Sequence, residues 1–78
     1  MDLRQIHHFV AACEEGSLSA AALRLNCTAS GVSQQMSSLE AQLGTGLLER
    51  TRRGVNPTAA AWRFYARCLA ILKAVSEA

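Results

Sequence analysis

The segment SLSAAALRLNCTASGVSQQMSSLEAQLGTGLLERTRR, residues 17–53, decides the fold of this 78-residue chain. It reads as a short helix, a tight turn, a longer helix and a compact turn dense in arginine. Ser17 is placed to cap the short helix, whose inner stripe is Leu18, Ala21, Ala22 and Leu25. The alanines are small enough to let another helix cross closely. Asn26 tolerates the positive φ that a sharp turn needs. Thr28 then caps a helix predicted over residues 29–43 and ended by Gly44. Val32, Met36, Leu39 and Leu43 line its inner face at spacings of four, three and four. Ser30, Ser33, Gln34 and Ser37 share the outward face, which is uncharged and rich in hydrogen-bonding groups.

The flanking sequence supplies the rest of a small core. Leu3, Ile6, Phe9, Val10 and Cys13 recur at helical spacing, with Asp2 as cap and Gly16 as stop, so a first helix is predicted near residues 3–14. The stretch from Leu47 to Pro57 is too short and interrupted for a helix. Two extended pieces around an Arg52-Arg53-Gly54 turn make a small hairpin, which must lean on the helices to be stable. Thr58 caps a last helix of about 20 residues, or ~30 Å, with Pro57 just outside it. Phe64, Tyr65, Cys68, Ile71, Leu72 and Val75 give that helix an apolar seam. Residues up to about Tyr65 are expected to face inward. Ile71, Leu72 and Val75, with Cys68 on the same seam and Trp62 contributing, are expected to meet a second copy of the chain; packing onto the chain's own domain is the alternative. The seam is still running at Ala78, as expected of a fragment cut within or just after a helix.

The chemistry of the third helix points to a partner. A helix fits the major groove of B-DNA, where base edges carry a readable donor and acceptor pattern. Gln34 and Gln35 can each donate and accept, as adenine readout requires. Ser30, Ser33 and Ser37 can reach bases or phosphates. Thr28 and the free amides around Ala29 suit a phosphate, because a helix N-terminus favours anions. The short helix and tight turn are the supporting parts of a helix-turn-helix. Arg50, Arg52 and Arg53 put a cationic hairpin tip beside it, suited to phosphates or a narrow minor groove; Arg50 could instead pair with Glu49 or another acid. A dimer through the last helix fits this chemistry, since two half-sites multiply affinity for a two-fold operator.

Composition narrows the alternatives. The formal net charge is only +2, which does not by itself imply a nucleic-acid partner. Cys13, Cys27 and Cys68 are odd in number and widely spaced, so they read as small hydrophobes in a reducing cytosol. Adjacent His7 and His8 point to different helix faces and form no joint metal site. There is no Ser-His-Asp order, carboxylate pair or Gly-rich phosphate loop, so no enzyme, cofactor or metal is expected. No signal peptide or membrane-length apolar run is present, and a cytoplasmic, nucleoid-associated protein is expected. Two other classes compete. One is a protein-interaction module using the apolar last helix. The other is a thiol or metal sensor built on the three cysteines.

The residues also resemble a known family. The runs Met1-Asp2-Leu3-Arg4-Gln5-Ile6, Phe9-Val10, Glu15-Gly16-Ser17-Leu18-Ser19, Ala21-Ala22, Leu25, Ser33, Leu39-Glu40, Leu43-Gly44, Leu47-Leu48-Glu49-Arg50 and Thr58 resemble the N-terminal domain of LysR-type transcriptional regulators. The resemblance implies a mainly α, winged helix-turn-helix fold: a three-helix core and a short two-stranded wing over residues 1–58, then a long linker helix over 59–78 that dimerises. It implies a bacterial regulator that binds double-stranded DNA. It also implies a small-molecule effector held by a larger domain, similar to periplasmic binding proteins, that these residues do not include. The chain departs from the family in having Ser30 for the usual Pro, Gly31 for Ala, Gln34 for Arg and Leu48 for Phe. The Gly31 change loosens the helix start by ~1 kcal/mol. The absence of an Arg at position 34 lowers salt dependence and alters base preference.

Overall fold

The computed structural model describes residues 1–78, in the order α1 (Leu3–Glu15), α2 (Leu18–Leu25), α3 (Ala29–Leu43), β1 (Leu48–Thr51), β2 (Gly54–Pro57) and α4 (Ala59–Glu77). Each helix begins where a short polar side chain takes up an orphan amide. Asp2 accepts from Gln5 N at 2.8 Å, Ser17 from Ala20 N at 3.2 Å, Thr28 from Gly31 N at 3.1 Å and Thr58 from Ala61 N at 3.1 Å. The first three helices end in left-handed residues, Gly16, Asn26 and Gly44. These caps and stops are the residues expected from the sequence, and α1 runs one residue further than expected, to Glu15.

Helix α1 is the central element. Ile6, Phe9, Val10, Ala11, Ala12 and Cys13 are buried, and α2, α3 and α4 all pack against it. The phenyl ring of Phe9 meets that of Phe64 at 5.1 Å between centroids, within the range where aromatic pairs add to plain burial. Ala21 and Ala22 of α2 and Ala61 of α4 are buried as well, so the alanine-lined faces do permit close helix crossings. From α3 the core takes Val32, Met36 and Leu39. Two residues expected on inner stripes are not there: Leu3 and Leu43 are 43% and 37% exposed. Both lie at helix ends, where the stripe runs past the core.

The hairpin pairs Leu48 with Pro57, Glu49 with Asn56, Arg50 with Val55 and Thr51 with Gly54, leaving Arg52 and Arg53 as its two-residue turn. It is held at two places, the turn after α1 and the side chain of Glu40 on α3. Val55 N donates to Gly16 O at 3.0 Å, tying the hairpin to the turn between α1 and α2. A Cβ on Gly54, whose φ is +141°, would stand 2.3 Å from Gly16 O, so only glycine allows this approach. At the base, Glu40 Oε2 accepts from Leu47 N at 2.6 Å and Leu48 N at 3.1 Å.

Helix α4 corrects part of the expected dimer seam. Cys68 is fully buried in the chain's own core, and Leu72 is half-buried against it. Cys68 is therefore not a partner-facing residue. The inward face of α4 continues past Tyr65 because Ala61, Phe64, Cys68 and Leu72 stay on one side at helical spacing. Trp62, Leu69, Ile71 and Val75 are 47%, 42%, 39% and 50% exposed; the first three flank that face, and Val75 lies in line with it beyond the core. Leu69 was not anticipated from the sequence.

Candidate nucleic-acid interface

The outer face of α3 carries Ser30, Gln34 and Ser37, all exposed, with half-buried Ser33 and Gln35 on its flanks. Burial of Val32, Met36 and Leu39 sets this orientation, because residues two positions from a buried one fall on the opposite side of a helix. Thr28 is exposed at the helix start, but its hydroxyl is occupied: it accepts from Gly31 N and lies 3.3 Å from Ser30 Oγ. Gly31 fits this cap, since a Cβ there would come within 3.0 Å of Thr28 Oγ1. Ala29 packs against the core, so its side chain is withdrawn from the face and only its backbone remains there.

The arginines divide into two kinds. Arg52 and Arg53 are exposed at the hairpin turn, and no acid pairs with them, since both ion pairs in the chain belong to Arg24. Arg50 turns back instead, and its Nη2 donates to Ser33 Oγ at 2.8 Å. The expected alternative of a pairing with Glu49 or another acid is replaced by this serine. Arg50 and Val55 lie directly opposite in the ribbon and so share a face. Val55 faces the helices, and Arg50 is carried toward α3 with it.

Three connections hold the face in place and were not anticipated from the sequence. Glu40 clamps the base of the hairpin to α3. Gln5, which is buried, donates to Ser38 Oγ at 3.2 Å and accepts from Gln42 Nε2 at 3.4 Å, tying α3 to α1. Glu14 joins α1 to two elements: it accepts from Arg24 at 2.8 Å, with Glu15 adding a second bond to that arginine at 3.2 Å, and from the Tyr65 hydroxyl. The Tyr65 hydrogen bond and then Arg24 hold the Glu14 carboxyl below the usual carboxylate range, and the same bond raises the Tyr65 phenol. Glu40 falls in the Leu39-Glu40 motif, which was a usable signal; the other two link residues too distant in sequence to be paired by spacing.

The three cysteines do not share one site: Cys13 and Cys68 are neighbours in the core, and Cys27 lies apart on the surface. Burial pushes Cys13 up to about 12 and Cys68 to about 11, with the neighbouring Cys68 adding to the shift at Cys13. Cys27 is exposed at the turn before α3, its sulfur 3.8 Å from Nε2 of His8. His8 is buried, and its Nδ1 lies 2.6 Å from Arg4 O, whereas His7 is exposed. No three His, Cys, Asp or Glu side chains are grouped to hold a metal, and no helix is long and apolar enough to cross a membrane.

Comparison with known proteins gives this geometry a family. Residues 3–62 match the model of the bacterial regulatory helix-turn-helix proteins of the lysR family. TcbR of Pseudomonas sp. (strain P51), an HTH-type transcriptional regulator, is 45% identical over 64 residues, covering 82% of this chain and 22% of TcbR. YnfL of Escherichia coli (strain K12), an uncharacterized HTH-type transcriptional regulator, is 44% identical over all 78 residues, which are 26% of its length. The chain thus spans about a quarter of the length of these relatives. Among solved structures, the DNA-binding domain of CbnR in complex with DNA aligns with a TM-score of 0.96 at 40% identity, over 99% of this chain and 88% of that one. The BenM DNA-binding domain bound to benA site 1 DNA aligns with a TM-score of 0.93 at 38% identity, over 99% of this chain and 86% of that one. On the family match and the shared winged arrangement, the chain belongs to the LysR family of bacterial regulatory helix-turn-helix proteins.

Proposed function

We propose that this chain is the DNA-reading part of a bacterial transcription regulator. Helix α3 enters the major groove with Ser30, Gln34 and Ser37 toward the bases. Arg52 and Arg53 reach the backbone or minor groove. The observation that carries this reading is the uncharged, exposed face of α3 standing beside a hairpin tip whose arginines have no protein partner. It is supported by the DNA complexes of the CbnR and BenM domains, which share this fold. Residues 1–58 form the reading unit. The exposed residues of α4, Trp62, Leu69, Ile71 and Val75, pair two copies so that two α3 helices address a two-fold site. A small-molecule effector would act through a further domain, and the regulator would work in the bacterial cytoplasm at the nucleoid. The chain has no catalytic role.

Gel shifts against the DNA upstream of the gene test this. The wild-type chain is expected to retain a two-fold duplex at low salt. Arg52→Ala/Arg53→Ala is expected to weaken binding and flatten the log–log salt dependence by about one for each phosphate no longer neutralised. An unchanged affinity and salt slope would remove the hairpin from the interface. Retention of no duplex at low salt would favour the protein-interaction alternative.

A further inference from the structure

We infer that Arg50 and Ser33 work as one unit, in which the Arg50 guanidinium orients the Ser33 hydroxyl and the two together present a donor pair to a single DNA phosphate. The inference rests on the DNA-binding reading above. A serine hydroxyl ordinarily offers one donor and two acceptor sites and rotates to suit its partner. Here the Arg50 guanidinium, lying 2.8 Å away, occupies an acceptor site of Ser33 Oγ. A cationic donor makes that bond stronger than a neutral one and weakens the oxygen as a second acceptor. The hydroxyl proton is then directed away from Arg50. The guanidinium has five N–H groups, and no carboxylate pairs with it. The remaining N–H groups and the Ser33 hydroxyl form adjacent donors, a pattern that an anionic oxygen satisfies and that the amino groups of cytosine or adenine do not.

Location favours a phosphate over a base edge. Ser33 directly follows the buried Val32 and is itself half-buried on the flank of α3 nearest the hairpin. The crest of the face, where base edges would lie, belongs to Ser30, Gln34 and Ser37. A donor pair between recognition helix and hairpin faces the edge of the groove, where the backbone runs. The same hydrogen bond makes the phosphate site depend on how the hairpin is docked, because Arg50 belongs to β1 and Ser33 to α3.

The test uses a duplex of about 25 base pairs, long enough for two half-sites, selected by the chain from a randomised pool. Affinity is measured by fluorescence anisotropy, and melting temperatures check the fold of each variant. S33A and R50A are each expected to weaken binding about tenfold, the effect of removing one charge-assisted bond. S33A/R50A is expected to be no weaker than the worse single variant, and S33T, which keeps the hydroxyl, to stay within about twofold of wild type. Methylphosphonates placed one at a time should reveal one phosphate per half-site that matters to wild type and not to S33A/R50A. Effects that multiply to about a hundredfold would overturn the coupling. A phosphate response equal in wild type and double variant would overturn the phosphate assignment, and so would variants that lose sensitivity to a base change instead. If R50A fails to fold, S33A and S33T with the methylphosphonate series decide alone. A wild-type chain that selects no duplex at low salt would instead bring down the DNA-binding reading, and this proposal with it.

Discussion

Single side chains decide how the hairpin meets the helices. Glu40 is the clearest case, because one carboxylate oxygen receives two amides at the hairpin base, and one of them belongs to fully buried Leu47. Glu40→Ala leaves those amides without an acceptor, at a cost of about 2–4 kcal/mol. The expected outcome is reduced hydrogen-exchange protection at the Leu47 and Leu48 amides while the Phe9 amide stays protected; an equal reduction at all three would mean that Glu40 supports the whole core rather than the hairpin. Arg50 shows where residue-level reading of the sequence stops. Its charge and its place next to Arg52 and Arg53 are visible in the chain, but its bond to Ser33 depends on which face of a two-stranded ribbon it occupies. That face is set by pairing with Val55, a tertiary fact.

At the scale of elements, the helices were legible because their signals are local. Caps and left-handed stops act within four residues, and a buried stripe declares itself by period. The limits of the stripes were less legible, since they depend on where the neighbouring elements end. Periodicity puts Leu43 and Leu3 inward, yet both lie at the margin, and it extends an outward seam to Cys68, which is buried. On α4, Val75 follows the buried Cys68 at the seven-residue spacing that keeps side chains in line, so periodicity cannot say how far the chain's own core extends along a helix of 19 residues. The structure leaves Ile71 and Val75 exposed beyond it. Ile71→Glu/Val75→Glu is therefore expected to weaken self-association at least about tenfold, by placing like charges in an apolar contact, while leaving helicity and melting temperature close to wild type. Sedimentation velocity reads the first and circular dichroism the others; an unchanged dimer would move the pairing surface off these residues.

For the whole molecule, α1 acts as the post on which α3, the hairpin and α4 are all mounted, and Glu14 binds its end to α2 and α4. Because the Glu14 carboxyl is held low, its contribution is fully present above the ordinary carboxylate pKa of about 4.3 and is lost as pH falls through the lowered value. Tyr65 works in the opposite direction: with its phenol raised, its contribution is present below the ordinary tyrosine pKa of about 10 and is lost as pH rises through the raised value. Glu14→Gln is expected to lower the melting temperature at pH 7 and to flatten its fall between about pH 5 and pH 2. Melting curves across that range check it, and parallel wild-type and variant curves would remove Glu14 from the acid limb. None of this network was legible in the sequence, where Glu14 and Tyr65 are 51 positions apart. The candidate face was legible, because the inner stripe of α3 fixes its outer one.

Whether the outer face of α3 reads bases is decided by selecting duplexes from a randomised pool with the wild-type chain and with Gln34→Ala. If it does, both chains select the same half-site spacing, and the variant relaxes base preference at one position in each half-site; an identical consensus from both chains would contradict it.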